Sequence, residues 1–599
     1  MNIEGSRPSY ILGISDSHLS TACLLKDGEI VGCVSEERFT REKNQSAYPV
    51  QSVSFLLEHA GIEGADLSAV ALAGHEAMNP EWFERVTRDD KYIDEYLGIK
   101  KTSPIRRKAR KVGQKLNITG DVKGKNLTPN EERFQKIADH LGVGKKLIHI
   151  IEHHTAHAAA AFYASPFTEV DDGGMTAVLT NDASGDGLCA TWNLAGPDGI
   201  RRIASSPSAP GSLGSFYSLI TQYLGMRQLE HEYKVMGLAP YAPDYGREKS
   251  YDVLKKMIAF EQNGTPEFRW KIRRDRFRYM MENLVRHRFD WVAGAAQDLF
   301  EELLLDWVCA GVEAVGERRV ALSGGVFMNV KANQKVSVLN EIDEIYVLPS
   351  CGDESNAIGA AYWIHAEGEK SGRRNNSCVP PKGLYLGRDV SEESITRAIS
   401  DTGVSEDNSV RRFDDIESEV ARLLSIGEVV ARVKGREEFG ARALGNRSIV
   451  ANPRDFQVVT HINKMIKSRD FWMPFAPSIL DRRVVDYILN PKGLFSPYMM
   501  ITFDSTPLGR EELTAACHPY DGTLRPQMVE RSCNPDYYRL IEVFEGLTGI
   551  GGVLNTSYNL HGEPIVSSPK DAIRTFENSG LVHLALGQYL ISKNMTLAL

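Results

Sequence analysis

Two histidines four residues apart carry the sharpest chemical signal in the chain. His153 and His157 stand in the stretch HHTAHAAAAFY, whose alanines favour a helix. Residues i and i+4 share one face of a helix, so the two imidazoles would point the same way. Two neutral imidazoles on one face are a good start for a divalent metal site. The alternative to a metal site is that one of these histidines caps the helix and the other packs in the core.

Further ligands for such a site have to come from other segments. Asp182 in TNDASGDG and Asp353 in SCGDESNAIGAA each follow an apolar run and stand in a glycine-containing turn, as strand-end ligands often do. We therefore expect both carboxylates to join His153 and His157 around a metal ion.

Glycine-containing turns recur after predicted strands, as at Ser323-Gly324-Gly325. Backbone N–H groups at such a turn can hold a phosphate group. Taken alone, each of these turns is more often a tight turn without a ligand. The chain has no G-x-x-x-x-G-K-[ST] motif, which argues against a P-loop NTPase. It also lacks GxSxG and HExxH, the signatures of serine hydrolases and zincin proteases.

Cationic and amide side chains gather in the last third of the chain. The stretch GREEFGARALGNRS (435–448) sets Arg436, Arg442 and Arg447 among glycines. Other donors follow at Lys464, Lys467, Arg469, His518, Arg525, Asn555, Ser557 and Asn559. Arginine forks and a lysine suit a polyanion such as a nucleoside triphosphate or an acyl phosphate. A surface with ordinary ion pairs is the alternative.

Strand and helix patterns alternate along the chain and would position these groups. Tyr10–Ser15 is a short apolar run, and the Asp-Gly turn at 26–29 between apolar runs predicts a hairpin. Helical patterns cover 50–61 and about 291–315, and a strand is predicted at Arg319–Leu322. This alternation predicts an α/β fold.

The segment 367–383, EGEKSGRRNNSCVPPKG, has the composition of a linker. It predicts a large N-terminal α/β unit followed by a second unit. A charge-rich insertion covers about 80–146, and its basic run 100–125 is either an anion-attracting patch or a solvated surface.

Composition narrows the class of protein. The chain has 599 residues, enough for two to four domains, and a net charge of −9, which argues against nucleic-acid binding. Its eight cysteines form no CxxC pair, so a reducing cytoplasm is expected. Neither an apolar run of membrane-spanning length nor a secretion signal is recognisable, so no membrane association is expected.

Collinear motifs along nearly the whole chain resemble one family. They are HLSTACLLKDGEIVGCVSEERFTREK, HHTAHAAAAFYASPF, TNDASGDG, SLGSFYS, EYKVMGLAPYA, LSGGVFMN, CGDESNAIGAA, GREEFGARALGNRS, INKMIKSRDFWMPFAPS, DGTLRPQ and LNTSYNLHGEPIV. With these motifs, the chain resembles the NodU/CmcH carbamoyltransferases, which modify hydroxyl groups of natural products.

The resemblance implies two α/β domains. Residues 1–375 would form a TsaD-like carbamoyl-transfer domain of the actin/Hsp70/sugar-kinase superfold, with duplicated RNase H-like halves. Residues 376–599 would form a YrdC-like domain that makes carbamoyladenylate from carbamoyl phosphate and ATP, releasing phosphate and pyrophosphate. The first domain would then transfer the carbamoyl group to an acceptor hydroxyl of an antibiotic, toxin or similar metabolite, releasing AMP.

The resemblance also implies roles for residues. His18 would be the general base, and Lys43 would stabilise developing negative charge. His153, His157, Asp182 and Asp353 match the family's metal ligands, with Fe²⁺ as the expected ion, and Mg²⁺ would accompany ATP. The adenylate would contact Ser323, Gly324, Gly325, Val326 and Asn329. Carbamoyl phosphate and ATP would contact Arg442, Arg447, Lys467, Arg525, Asn555, Ser557 and Asn559.

The chain departs from the family pattern at a few places. Leu19 replaces the usual aspartate after His18, Ala441 replaces a proline, and Met473 replaces an arginine before PFAP. The insertion at about 80–146 is the expected place of acceptor specificity. The sequence identifies neither the acceptor nor the metal. The assembly also stays open, and a homodimer is one possibility.

Three other functions are consistent with parts of this pattern. A small-molecule kinase or ATPase on the same superfold would explain the glycine turns and Asp353, but neither the paired histidines nor the second unit. A non-catalytic nucleotide- or metal-binding scaffold would form no product. A tRNA or protein carbamoyltransferase fits poorly with the net charge of −9.

Overall fold

A computed structural model of the chain describes residues 8–76, 128–169, 173–273, 275–370, 377–467 and 470–594.

The first sheet begins with an antiparallel meander. The strands of the sheet are β1 (Tyr10–Ser15), β2 (Thr21–Lys26), β3 (Glu29–Ser35), β4 (Leu67–Ala73) and β5 (Ile148–Ile151). They lie in the order β3-β2-β1-β4-β5, with β1, β4 and β5 parallel. The predicted hairpin with its turn at 26–29 is confirmed.

The second sheet repeats this arrangement. Its strands are β6 (Thr176–Gly185), β7 (Leu188–Gly196), β8 (Gly199–Pro207), β11 (Arg319–Ser323) and β12 (Glu344–Val347). The order is β12-β11-β6-β7-β8, with β6 to β8 antiparallel and β11 and β12 parallel to β6. A separate hairpin pairs β9 (Ile258–Asn263) with β10 (Thr265–Trp270).

Helices cover both sheets and fill the space between them. They are α1 (Glu37–Thr40), α2 (Val50–Ala60), α3 (Pro129–Leu141), α4 (His153–Tyr163), α5 (Leu213–Tyr223), α6 (Glu232–Leu238), α7 (Asp244–Leu254), α8 (Arg276–Asn283), α9 (Phe289–Val315), α10 (Val330–Ser337) and α11 (Asn356–Lys370). Helices α2 and α3 pack outside the first sheet, and α5 and α9 pack outside the second. The predicted helices at 50–61 and 291–315 are confirmed.

Helices α4 and α11 lie side by side between the sheets. A Cβ atom at Gly359 of α11 would lie 1.8 Å from the carbonyl oxygen of Ala156 in α4, so only glycine permits this approach. The alanines of α4 are buried in the same contact. This close packing fixes the helix that carries the two predicted metal-binding histidines.

A third sheet is formed by the residues after 377. Its strands are β13 (Asn408–Arg412), β14 (Val430–Val433), β15 (Arg447–Ala451), β16 (Ala476–Leu480), β19 (Gln527–Val529), β20 (Gly552–Ser557), β21 (His583–Leu586) and β22 (Tyr589–Lys593). They run in the order β13-β22-β21-β14-β15-β20-β16-β19, and β17 (Phe503–Asp504) pairs with β18 (Thr523–Leu524) outside it.

Helices flank the third sheet. They are α12 (Glu392–Thr402), α13 (Val404–Asp407), α14 (Ile416–Ser425), α15 (Gln457–Ile462), α16 (Val484–Tyr487), α17 (Pro507–Glu512), α18 (Pro535–Thr548) and α19 (Pro569–Glu577). The fold is therefore mixed α/β throughout, as predicted. We call residues 8–370 the N-terminal part and residues 377–594 the C-terminal part. One buried apolar cluster includes residues of both parts.

Part of the charge-rich insertion can be located. Residues 80–127, with the basic run 100–125, lie outside the described residues, and 129–141 form α3. Among the described residues, no helix is long and apolar enough to cross a membrane.

Candidate metal centre and anion site

The four predicted metal ligands meet in one cluster. His153 and His157 lie on the first turns of α4, Asp182 near the end of β6, and Asp353 in the turn before α11. One ligand atom from each residue lies within 4.8 Å of the others. Nε2 of His157 is 3.1 Å from Nε2 of His153 and 3.3 Å from the Asp182 carboxylate. Ligands about 2.0–2.2 Å from a metal ion have such separations, so the donor set fits a divalent metal ion.

The carboxylates control the protonation of this cluster. Burial alone would lower the pKa of His153, but Asp353 and Asp182 outweigh it and raise that pKa to about 9. Burial would raise the pKa of Asp182, and the two histidines hold it well below its usual range. The cluster thus combines two acidic carboxylates with two imidazoles that readily accept positive charge.

Contacts behind the ligands orient them. The hydroxyl of Ser323 lies 3.1 Å from Nδ1 of His157, the ring nitrogen that faces away from the cluster. Ser17 donates to Asp353 over 3.1 Å, and the carboxylate of Asp186 accepts the backbone N–H of His153 over 2.8 Å. Partners of this kind fix the ring or carboxylate of a metal ligand. Sequence reasoning missed Ser17, and it passed over Asp186 although that residue stands in the same TNDASGDG stretch.

The third histidine of the HHTAH stretch has a different environment. Nδ1 of His154 lies 2.8 Å from the hydroxyl of Thr180. Burial, together with the charges of His153 and His157, lowers the pKa of His154 to about 3. His154 therefore packs as a neutral side chain beside the cluster.

The turn at Ser323–Val326, which is predicted to bind the adenylate, lies directly beside Asp182. Gly324 has φ +106°, and a Cβ atom there would lie 2.1 Å from the carbonyl oxygen of Asn181. A Cβ atom at Gly325 would lie 2.9 Å from Oδ1 of Asp182. Val326 is buried in the short helical turn that follows. The backbone of this turn therefore lies against the metal cluster.

Asn329 closes the same segment. Its side chain caps α10 by accepting the N–H of Ala332 over 3.1 Å, and it contacts Gln297 of α9 over 3.0 Å. These contacts give Asn329 a role in holding the turn.

His18 lies close enough to Asp353 and Asp182 for their charges to act on it, and Lys43 contacts Glu230, whose charge also acts on His18. Burial lowers the pKa of half-buried His18, while the negative charges of Asp353 and Asp182 oppose that shift. A lowered pKa favours the neutral imidazole of His18, the form that can accept a proton. Nζ of Lys43 lies 3.5 Å from Glu230, so its charge is shared with a carboxylate.

A second cluster forms in the C-terminal part. Nζ of Lys467 contacts Ser557, with 3.1 Å to its hydroxyl, and donates to Oδ1 of Asn559 over 2.7 Å. Lys467 ends a short π-helix and is buried, whereas Ser557 ends β20. The structure thus joins three residues that the sequence predicts as one anion site.

The arginines of the 435–448 loop divide into two groups. The fully buried guanidinium of Arg447 donates to main-chain carbonyl oxygens, including Gly435 at 3.0 Å and Arg388 at 3.0 Å. Arg436 likewise donates to carbonyl oxygens, of Gly387 among others. Both side chains therefore help to hold the loop in place. The expected contact of Arg447 with carbamoyl phosphate or ATP stays a prediction.

Arg442 has a different environment. Within the part of the chain that the structure describes, its half-buried guanidinium has no hydrogen-bond or ion-pair partner. Burial lowers its pKa, although Glu354 and Cys351 of the N-terminal part lie close enough to oppose that shift. Partial desolvation of a cation without a partner is costly, so Arg442 is suited to receive an anion.

The remaining predicted residues of the C-terminal site lie around this loop. Asn555 on β20 donates to the carbonyl oxygen of Ala443 over 2.9 Å, which ties the loop to the third sheet. Arg525 lies between β18 and β19. His518 is buried and its Nε2 lies 3.1 Å from the carbonyl oxygen of Gly237 in the N-terminal part. Arg469 lies outside the described residues.

Comparisons with known proteins agree with the two clusters. Residues 10–362 match the family model "Carbamoyltransferase N-terminus", and residues 421–593 match "Carbamoyltransferase C-terminus". The metal cluster lies inside the first match, and the Lys467 cluster lies inside the second.

Relatives match over most of the chain. Nodulation protein NolNO of Sinorhizobium fredii is 30% identical, over 96% of this chain and 79% of its own length. Nodulation protein NolO of Bradyrhizobium diazoefficiens is 34% identical, over 74% of this chain and 79% of its own length. An uncharacterized protein of Synechocystis is 31% identical, over 98% of this chain and 97% of its own length.

A solved structure, full-length HypF bound to phosphate and nucleotide, matches at 11% identity over 61% of this chain and 56% of its own length. Its TM-score of 0.34 is too low to carry an argument. The family models and the relatives suffice: this chain is an enzyme that transfers carbamoyl groups and belongs to the NodU/CmcH carbamoyltransferase family.

Proposed function

We propose that this enzyme makes carbamoyladenylate in its C-terminal part and transfers the carbamoyl group to an acceptor hydroxyl in its N-terminal part. The observation that carries the proposal is the presence of two chemically different clusters, one in each part. Lys467, Ser557 and Asn559 suit an anionic substrate, and His153, His157, Asp182 and Asp353 suit a metal ion.

The first step would take place at Lys467 and Arg442. Carbamoyl phosphate loses its phosphate to water, and the resulting carbamate oxygen attacks the α-phosphorus of ATP with release of pyrophosphate. Lys467 and Arg442 would hold the phosphate groups through charge-assisted hydrogen bonds, and Ser557 and Asn559 would orient the carbamoyl group. Mg²⁺ is expected to accompany the ATP.

The second step would take place at His18. The acceptor oxygen attacks the carbamoyl carbon while Nε2 or Nδ1 of His18 takes the hydroxyl proton, and the bond to the adenylate phosphate breaks as AMP leaves. The backbone of Gly324 and Gly325 would bind the adenylate, and Lys43 would stabilise negative charge. A bound divalent ion, for which we propose Fe²⁺, supplies positive charge that polarises the carbamoyl group.

The strand order supports the expected domain identities. The first two sheets share the same order, an antiparallel meander followed by two parallel strands, as duplicated RNase H-like halves of the actin/Hsp70/sugar-kinase superfold would. We therefore propose that residues 1–375 form the transfer domain and residues 376–599 form a YrdC-like domain. We further propose that the enzyme acts in the cytoplasm and that its acceptor is a hydroxyl group of a metabolite such as an antibiotic or a toxin.

Product analysis of ATP turnover tests this function. The enzyme is incubated with ATP and Mg²⁺, with and without carbamoyl phosphate, and the nucleotides are separated by chromatography. We expect AMP and pyrophosphate only when carbamoyl phosphate is present. ADP as the product would support a kinase or ATPase of the same superfold, and turnover indifferent to carbamoyl phosphate would contradict the proposal.

A further inference from the structure

Two arginines of the N-terminal part donate to backbone carbonyl oxygens of the C-terminal loops that carry Arg442 and Asn559. They are Arg38 and Arg41, in the turn of residues 36–43 that follows β3 and contains α1. We propose that Arg38 and Arg41 are positioning residues that assemble the carbamoyl phosphate site from the other part of the chain. This inference rests on the proposed function, because it concerns the first of the two steps.

The 36–43 turn is fixed to the N-terminal part. The buried carboxylate of Glu36 accepts the N–H groups of Gln51 and Ser52 over 2.9 and 2.8 Å, and the hydroxyl of Ser52 over 2.7 Å. These bonds cap the start of α2. The ring of Phe39 packs 5.6 Å from that of Phe55 on the same helix. The turn therefore has a rigid base from which its arginines extend.

Arg41 holds the turn that carries Asn559. Its Nη1 donates to the carbonyl oxygen of Ile565 and its Nη2 to that of Pro564, both over 2.7 Å. Asn559 donates to the carbonyl oxygen of Glu563 over 2.7 Å. Arg41 and Asn559 thus bind neighbouring carbonyl groups of one turn.

The backbone conformation of Arg41 and the carboxylates near its guanidinium both support a positioning role. Arg41 adopts φ +65°, a left-handed conformation that non-glycine residues adopt rarely. Its side chain is 13% exposed and lies 3.7 Å from both Glu563 and Asp571. Burial lowers its pKa, and the two carboxylates oppose that shift.

Arg38 holds the loop that carries Arg442. Its buried Nη2 donates to the carbonyl oxygen of Gly440 over 2.7 Å. The next residue, Ala441, donates its N–H to the hydroxyl of Ser350 in the N-terminal part over 3.1 Å. Two donor–acceptor contacts from outside the C-terminal part therefore set the backbone immediately before Arg442.

Both halves of the anion site thus depend on one turn. Ser448 and Ser557 are paired in adjacent strands, so the arginine loop and the Asn559 turn meet at the same end of the third sheet. A misplacement of about 1 Å in such a site can cost about 100-fold in rate. Lys43, two residues after Arg41, belongs to the same turn and is the residue proposed to stabilise negative charge in the transfer step, so this turn would serve both steps.

The test uses R38Q and R41Q in the full-length enzyme. The readout is carbamoyl-phosphate-dependent pyrophosphate release, with kcat and KM for carbamoyl phosphate determined separately. K492Q is the matched control, because Lys492 also donates across the two parts to two carbonyl oxygens, those of Leu339 and Ile342, both over 2.6 Å. Metal content of each variant reports on the N-terminal site.

We expect R41Q and R38Q each to lower kcat/KM for carbamoyl phosphate about 10-fold or more. R41K should recover part of this loss, since it restores one charged donor to the same carbonyl groups. Metal content should stay unchanged, and K492Q should stay within about twofold of the unaltered enzyme.

Two results would overturn the inference alone. Either R38Q and R41Q release pyrophosphate as the unaltered enzyme does, or K492Q reproduces their loss, which would indicate general loosening between the parts. If R41Q does not fold, R41K and R38Q decide by the same criteria. Absence of carbamoyl-phosphate-dependent release by the unaltered enzyme would instead contradict the proposed function, and this inference with it.

Discussion

The hydroxyl group of Ser323 lies 3.1 Å from Nδ1 of His157, and so connects the glycine turn after β11 to the metal cluster. Ser323 is the last residue of β11, whereas His157 lies on α4. The turn expected to bind the adenylate therefore begins with the residue that orients a metal ligand. An adenylate bound at this turn would therefore lie close to the metal ion.

Replacing Ser323 by alanine should weaken metal binding. Loss of a partner behind a metal ligand typically costs about 10- to 100-fold in affinity. We expect S323A to show that loss in competition with a chelator. S337A is the control, because the hydroxyl of Ser337 donates to the carbonyl oxygen of Gln334 near the end of α10, away from the metal cluster. Equal affinities for S323A and the unaltered enzyme would contradict this role.

Replacing the metal ligands themselves should lower metal binding more than replacing Ser323. H157A removes one of the four ligand atoms and D182N replaces a carboxylate by a neutral, weaker amide ligand, so the bound metal should fall strongly in elemental analysis. H149A, which removes an exposed histidine on β5, should retain the full metal content. Full metal content in both H157A and D182N would show that the metal ion binds elsewhere.

Arg447 should matter for stability. In R447M the carbonyl groups that Arg447 contacts would lose their buried donors, which we expect to lower the free energy of unfolding by about 3–5 kcal/mol. R397M is the control, since Arg397 is exposed and its ion pair among the described residues is with Glu393 one helical turn away. Denaturant unfolding measures both. A loss under about 1 kcal/mol in R447M would contradict the structural role.

Arg442 should show the opposite behaviour. Its guanidinium has no partner among the described residues, so R442M should fold with unchanged stability. If Arg442 binds the phosphate of carbamoyl phosphate, its loss should raise KM for that substrate about 10-fold or more. Steady-state pyrophosphate release measures this. An unchanged KM in R442M would remove Arg442 from the substrate contacts.

Local patterns in the sequence were enough to predict much of the metal site. The i,i+4 spacing placed His153 and His157 on one face of a helix, and the glycine-containing turns pointed to Asp182 and Asp353. The alternation of strands and helices predicted the α/β class. These features depend on short-range periodicity, which a single sequence carries.

Other features depend on contacts between distant segments. Arg442 and Arg447 look alike in sequence, and only the carbonyl groups around each guanidinium distinguish them. Arg41 and Ile565 are 524 residues apart, and no local pattern indicates that they meet. Ser17, which contacts Asp353 across 336 residues, was missed for the same reason.

The division of the reaction between Lys467 and His18 is tested most directly by one pair of variants. K467A and H18N are compared in carbamoyl-phosphate-dependent pyrophosphate release and, with a panel of hydroxylated metabolites, in formation of a carbamoylated product by mass spectrometry. We predict that K467A loses both activities, whereas H18N releases pyrophosphate and forms no carbamoylated product. Equal loss of pyrophosphate release in both variants would contradict two separate sites.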